Sequence, residues 1–362
     1  MANGLARQAK LWRVAVDSEA TLGTFTSAAA LNVPMVSGWT LAPDRGTGLI
    51  SRADITDGRP GSVLSVPGSY GWTLSGDQEV QIEEGTIWLP WVRTLLACGH
   101  SATVSIVGAG NATVTLQPSI AAQSGFTGGT DSQSPGSMSA IAIYDTNGTA
   151  DAAMRVRGLT GSAQIKWTAG ARIFVGAALK GLVYETGGAS QMIDYGTADL
   201  TTVGSWETQN LPRVALSAVT TFTDLSDSST LTLEDFQEFT LDCGMTTPDI
   251  ASPATINGLG VSPVFLSDAP PLTMSVAASQ ALDLSFFNGW RDGRLYSMQT
   301  VYGVAGSNQI TITCAALQCK GPPVRQNAED KDRLSMTFGC MRAALGGTVA
   351  PYTIAYKYDA AA

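Results

Sequence analysis

Apolar and polar residues alternate along much of this chain with a period of two. From Trp72 to Glu83 the even positions include Trp72, Leu74, Val80 and Ile82, while Thr73, Ser75, Asp77, Glu79, Gln81 and Glu83 fill the odd ones. Successive side chains of a strand point to opposite faces, so this stretch reads as a strand with one packed face and one wet, acidic face. The same alternation sets Ala163, Ile165 and Trp167 against Gln164, Lys166 and Thr168, and it recurs at Leu272, Met274 and Val276. Further strand candidates are 102–107, 112–117, 138–144, 172–184, 236–243, 295–302, 309–317, 333–342 and 351–358. The pattern predicts a mainly β chain.

Two stretches break the alternation with helical spacing. Residues 87–98 place Trp88, Trp91, Val92, Leu95 and Leu96 on one face, carry Pro90 in the first turn and stop at Gly99. A second helix is predicted from Ser279 to Asn288, opening at a serine cap and ending at Gly289. Each helix follows an amphipathic strand and precedes a series of strands, which points to a diverged internal duplication with a first domain over 1–190 and a second over 191–362. The join falls near 185–213, where no periodicity is sustained. Residues 40–70 and 121–138 read as long polar loops of the kind that move or bind a neighbour.

Composition sharpens the picture. Hydrophobic residues make up 44% of the 362, but charged residues only 14%, against roughly 25% in an ordinary soluble protein. Much of the surface is therefore neither core nor charged coat, and burial against other subunits accounts for it. No run of about 18 apolar residues offers a membrane-spanning helix, and the N-terminus lacks the apolar core of a secretory signal. The net charge of -9 disfavours binding to nucleic acid through phosphate contacts. The charge is unevenly spread: nine acids and no Lys or Arg lie between Arg213 and Arg291, while acids and bases balance elsewhere.

Candidate chemistry is sparse. Five cysteines lack paired spacing, and the single histidine, His100, cannot complete a Cys/His zinc set; buried thiols are the expectation, with no metal and no cofactor. The stretch 104–113, VSIVGAGNAT, has the Gly-rich turn of a dinucleotide site, but alternation resumes after it where a helix is required, so it reads as a hairpin. DTNGTAD at 145–151 lacks the spacing of a calcium loop and reads as an Asn-Gly turn. Glu83 and Glu84 are adjacent in a strand and face opposite ways, which rules out a shared glycosidic substrate. No G-x-S-x-G elbow accompanies His100, which is placed just past a helix C-terminus where an imidazolium is electrostatically comfortable.

Several segments, in order, resemble the major tail tube proteins of long-tailed, non-contractile bacteriophages, of the type that carries two tube domains in one chain. LARQAKLWRVAVDSEATLGTFT (5–26) is similar to that family's basic, apolar opening. Trp72 to Gly99 is similar to its acidic strand, Pro-containing helix and closing Leu-Leu-x-Ala-Cys-Gly, here Leu95, Leu96, Ala97, Cys98 and Gly99. Residues 154–184, 236–245, 264–279 and the closing strands, with Gly306, Ser307, Asn308, Gln318 and the acidic run 329–332, continue the likeness. EEGTIWLP, the Thr-Asn-Gly turn and the long 121–137 loop depart from the family's pattern.

The resemblance implies two tandem β-sandwich or barrel domains, each with one short helix, plus an N-terminal arm and long loops. It implies a structural virion protein and not an enzyme, polymerising into stacked rings, three copies per ring in pseudo-sixfold symmetry. The implied partners are further copies of itself, a tape measure protein, and tail terminator and distal tail proteins. Genomic DNA passes without specific binding, no membrane is involved, and assembly takes place in the host cytoplasm. Asp77, Glu79 and Glu83, with Glu234 and Glu238 from the second domain, are then expected to line the lumen and repel phosphate. Two other classes are weighed beside this: a carbohydrate-binding or jelly-roll module of a fibre or baseplate, using Trp39, Trp206 or Trp290, and a β-rich hydrolase.

Overall fold

The strands expected from alternation form, and they join into one continuous hydrogen-bonded system. The computed structural model describes residues 12–26, 39–44, 49–51, 65–67, 71–80, 87–106, 111–119, 121–144, 152–168, 171–183, 194–195, 218–233, 236–250, 261, 263–266, 269–277, 280–303, 309–328, 331–342 and 350–359. In chain order the elements of the first half are β1 (Trp12–Ser18), β2 (Thr40–Asp44), β3 (Leu49–Ser51), β4 (Ser65–Pro67), β5 (Gly71–Glu79), α1 (Pro90–Ala97), β6 (His100–Ile106), β7 (Asn111–Pro118), β8 (Met138–Tyr144), β9 (Ala152–Thr168) and β10 (Phe174–Val183). Then come β11 (Asp194–Tyr195), β12 (Ala218–Asp224), β13 (Thr230–Leu233), β14 (Phe236–Asp242), β15 (Met245–Thr246), β16 (Phe265–Leu266), β17 (Pro271–Ala277), α2 (Gln280–Asp292), β18 (Leu295–Gly303), β19 (Gln309–Cys319), β20 (Val324–Ala328), β21 (Lys331–Met341) and β22 (Tyr352–Asp359). The protein is mainly β and, among the described residues, wholly antiparallel in its ladders.

The ladders trace two paths. One runs β2–β5–β10–β9–β14–β17–β21–β20. The other runs β6–β7–β22–β19–β18–β12–β13. They meet where Ala316–Cys319 of β19 leaves β22 and pairs with the end of β21, while β1 and β8 extend the N-terminal part of β9. Pairing crosses the expected boundary near residue 190 three times among the described residues, at β9–β11, β9–β14 and β7–β22. The stretch 185–213, where a join is expected, lies outside the described residues apart from Asp194 and Tyr195.

Between the paths the apolar faces meet. Trp167 of β9 packs on Tyr302 of β18 with ring centroids 5.5 Å apart, and Trp91 of α1 packs edge-on against Tyr356 of β22 at 6.0 Å. Phe222, Phe286, Tyr296 and Phe338 form an aromatic cluster from β12, α2, β18 and β21. Each ring buries well over a hundred Å² and contributes on the order of 3 kcal/mol of apolar transfer.

The first path contains a repeat. β2, β5, β10 and β9 are followed by β14, β17, β21 and β20, and both sets are assembled in the same chain order. In each, an edge strand is followed by a small two-stranded hairpin, β3–β4 in the first set and β15–β16 in the second. Next come a second strand paired with the first, a helix, a long hairpin (β6–β7 or β18–β19), and a returning hairpin that closes back on the second strand.

Both helices end at a glycine with positive φ, Gly99 at +82° and Gly293 at +67°, the left-handed geometry that lets a helix stop without a Cβ penalty. α1 starts with Pro90 at its first position. α2 runs one turn past the expected stop at Gly289. That glycine is buried inside the helix because a Cβ there would lie 1.7 Å from the Tyr296 hydroxyl, so its smallness serves packing, not termination.

The expected hairpins form around 104–113 and 145–151: Ile106 faces Ala112, and Tyr144 faces Ala152. Their tips, 107–110 and 145–151, lie outside the described residues. The loop 121–137 folds back on its own chain. The Gln133 side-chain carbonyl accepts from the Thr127 amide at 3.1 Å, while its amide donates to the Thr127 hydroxyl at 2.9 Å and to the carbonyls of Gly128 and Asp131 at 3.2 Å. Phe126 meets Trp88 edge-on at 5.5 Å, and the Trp88 indole donates to Gly129 O at 2.7 Å.

Candidate functional site

The outward face of the first path is a polar surface that continues from one four-strand set into the other. β5 contributes Thr73, Ser75, Asp77 and Glu79; β10 contributes Phe174, Gly176, Ala178 and Lys180; β9 contributes Gln164, Lys166 and Thr168. Across the β9–β14 junction it continues through Glu238, Thr240 and Asp242, then Thr273 and Ser275 of β17. Small and hydroxyl-bearing residues dominate, and the opposite positions (Leu74, Val175, Ile165, Phe239, Leu241, Met274) are buried.

Asp77 and Glu79 share this face, as the alternation requires, but neither is a free acid. Lys166 of β9 reaches across β10 to Asp77, Nζ to Oδ1 3.3 Å. Room for the reach comes from Gly176, where a Cβ would stand 2.7 Å from that oxygen and 3.0 Å from the lysine nitrogen. Glu79 is only 7% exposed, and Arg172 lies against it, Nε to Oε1 3.1 Å. That approach is an ion pair by distance without hydrogen-bond alignment at Oε1, which has no hydrogen-bond donor; the aligned contact is Arg172 Nη1 to Oε2 at 3.4 Å. Glu238 is exposed beside the β9–β14 junction, opposite Thr168. Glu83 and Glu234 lie outside the described residues.

Three of the nine acids in the segment without bases are paired with bases from outside it. Asp224 is buried and receives Arg294 at 3.0 Å, Asp249 pairs with Lys180 at 3.3 Å, and Asp283 pairs with Arg325. Burial alone pushes the Asp224 carboxyl up, but the Ser226 hydroxyl and amide and the Arg294 guanidinium outweigh it and hold it below the ordinary aspartate value. Bases from outside the segment are thus distributed onto its acids.

His100 is not the exposed cation that its place after α1 suggests. It is fully buried, with Nδ1 donating to Leu95 O at 2.9 Å and Nε2 2.9 Å from the Tyr352 hydroxyl, which is also 3.2 Å from Cys243 O. A carbonyl can only accept, which fixes the proton on Nδ1 and leaves Nε2 as the acceptor. Burial lowers the imidazole from 6.5 to about 4, against the backbone hydrogen bonds that favour the charged form. His100 is therefore neutral at pH 7 and ties α1, β22 and the residue after β14 together. No family model matches the chain, and no curated protein matches it.

Among the described residues no group of three or more His, Cys, Asp or Glu side chains is gathered as a metal site would need. Cys98, Cys243, Cys314 and Cys340 are buried and free; burial raises the thiol of Cys243 to about 12. Of the tryptophans weighed for sugar stacking, Trp39 is buried against Gly76, Trp290 of α2 is 42% exposed, and Trp206 lies outside the described residues.

Sequence reasoning missed Glu19. This carboxylate is wholly buried and accepts from the amides of Gly23 (2.7 Å) and Gly158 (2.8 Å) and from the hydroxyls of Ser137 and Ser139 (2.7 Å). Burial pushes its carboxyl above the usual value, and the four hydrogen bonds offset only part of that rise. All four groups donate, and two are amides that cannot reverse, so the site is built for the ionised form. Glu19 pins the end of β1 to β8, to the 121–137 loop and to the kink of β9. Only the run Asp17-Ser18-Glu19 after an alternating strand marked it in sequence.

Proposed function

We propose that this chain is a ring-forming subunit of a tube, the tail tube of a long-tailed, non-contractile bacteriophage that its sequence resembles. The observation that carries the reading is the β9–β14 ladder. It joins two four-strand sets of the same order edge to edge within one chain, with β2 and β20 at the two ends of the path. Each of those end strands pairs with one neighbour among the described residues. Repeating the same junction between copies closes the sheet into a barrel and removes both edges. Three copies of a two-set chain make a ring of pseudo-sixfold symmetry. The low charge content fits a surface largely buried between rings.

In such a ring the polar face of the first path forms the wall of the passage. DNA grips a surface by exchanging counterions for lysine and arginine. Here Lys166, Arg172 and Lys180 are already engaged by Asp77, Glu79 and Asp249, so the wall withholds its cations, and Glu238 adds an exposed acid. The chain acts by geometry and charge, not by catalysis, within a virion tail assembled in the host cytoplasm, together with tape measure, terminator and distal tail proteins. Electron microscopy of the concentrated, purified protein tests this. Hollow tubes built of repeating rings are expected; single chains at every concentration would overturn it.

A further inference from the structure

The repeat places two hairpins and two helix ends in equivalent positions, and among the described residues a contact is seen for the β15–β16 hairpin with the end of α1. The end of α1 is covered: Val264, next to β16, and Met245 of β15 close over Gly99, where a Cβ would stand 2.7 Å from Val264 Cγ1 and 3.2 Å from Met245 Sδ. The matching end of α2 is open among the described residues. Among those residues a Cβ on Gly293 would meet the far end of Gln318, at 3.7 Å. Beside the charged Arg291, Asp292 and Arg294, three large apolar residues near that helix end are exposed: Trp290 at 42%, Leu295 at 39% and Leu225 at 47%. The Leu225 amide donates to Leu295 O at 2.9 Å, which sets those two residues side by side, and the Gly293 amide donates to Trp290 O at 3.3 Å at the same helix end. Contiguous apolar exposure beside a helix end marks an interaction surface.

We propose that this patch is the seat of the β3–β4 hairpin of a second copy of the chain. The hairpin stands in the first four-strand set where β15–β16 stands in the second, and it pairs with itself in a separate two-stranded sheet. Its sequence is apolar in kind, with Leu49, Ile50 and Val66, as Met245, Phe265 and Leu266 are in β15–β16. The second set covers the first set's helix end within a chain; the first set of the next copy covers the second set's helix end between chains. This deepens the tube reading and rests on it, since it supplies the contact that lies beside the β20-to-β2 junction of neighbouring copies.

The test is a cysteine pair in the full-length chain, Val66→Cys in one preparation and Leu295→Cys in another, mixed, assembled and oxidised. Cross-linked dimers are expected on a non-reducing gel from the mixture and from neither variant alone. The double variant Leu225→Asp, Leu295→Asp, checked for wild-type circular dichroism, is expected to lose at least tenfold in its tendency to assemble by analytical ultracentrifugation. Wild-type tubes with no cross-link and an unimpaired aspartate variant overturn the hairpin contact and leave the tube standing. A wild-type chain that never self-associates overturns both.

Discussion

Lys166 and Asp77 sit on strands that are not neighbours, yet their charged atoms are 3.3 Å apart because the strand between them carries Gly176 at the crossing point. Both side chains are nearly half exposed, so the pair is worth no more than about 1 kcal/mol of stability, and its removal is felt as charge on the polar face. Asp77→Lys is expected to leave folding and assembly intact while freeing two cations per copy for phosphate, slowing DNA release from virions at low salt. Adding Lys166→Asp restores the pair and the rate. Equal release rates for all three virions would remove the proposed role of this face. Glu79→Lys is no substitute, because it sets a nearly buried cation against Arg172 and destabilises the fold.

His100 makes the protein acid-sensitive in a defined window. Its folded value near 4 lies below the unfolded 6.5, so the unfolded chain takes up the proton first. Its contribution is complete above pH 6.5, is lost as pH falls towards 4, and does not change below that. The full loss is on the order of 3 kcal/mol. Urea midpoints measured between pH 7 and 4 should fall more steeply for the wild type than for His100→Leu; parallel curves would show that this residue is not the cause. Tyr352→Phe leaves Nε2 and Cys243 O without the shared hydroxyl and should cost about 1–3 kcal/mol at pH 7.

Glu19→Gln keeps the shape of the side chain but removes the charge and turns an amide NH₂ towards one backbone amide, which can only donate, and one serine hydroxyl, which must reverse to accept. With Gly23 N, Gly158 N, Ser137 and Ser139 all aimed at the carboxylate, the loss should reach about 3 kcal/mol. Denaturant unfolding at pH 7 measures it. A change under about 0.5 kcal/mol, the size of an ordinary surface substitution, would mean that the site is not held by charge.

What sequence made visible was local. Alternation located β8 at 138–144 and the buried face of β9, and Gly99 marked the end of α1, because each depends on residues close in the chain. The side-chain period also placed Asp77 and Glu79 on one face. It could not supply Lys166 or Arg172, since those arrive through β9–β10 pairing and through the turn before β10. The partners of three acids in the base-free segment were hidden for the same reason: Arg294, Lys180 and Arg325 reach Asp224, Asp249 and Asp283 through the tertiary fold. His100 read as a comfortable imidazolium because it follows a helix C-terminus, whereas Tyr352 of β22, arriving from the far end of the chain, packs against its buried ring.

Gly289 was misread in an instructive way, and the error yields a prediction. In an exposed helix, replacing glycine with alanine stabilises by roughly 0.5–1 kcal/mol through backbone entropy. Here the same change drives a methyl to 1.7 Å from the Tyr296 hydroxyl, which is held by its hydrogen bond to Ser285 O at 3.0 Å and by Phe222, Phe286 and Phe338 around its ring. Tyr296 cannot retreat without opening that cluster, so Gly289→Ala should destabilise by about 1–3 kcal/mol. Combining it with Tyr296→Phe removes the clashing oxygen and should recover part of the loss, a coupling that a double-mutant cycle in denaturant measures directly. If Gly289→Ala alone raises the midpoint, the glycine marks a helix end after all, and α2 stops where the capping pattern places it.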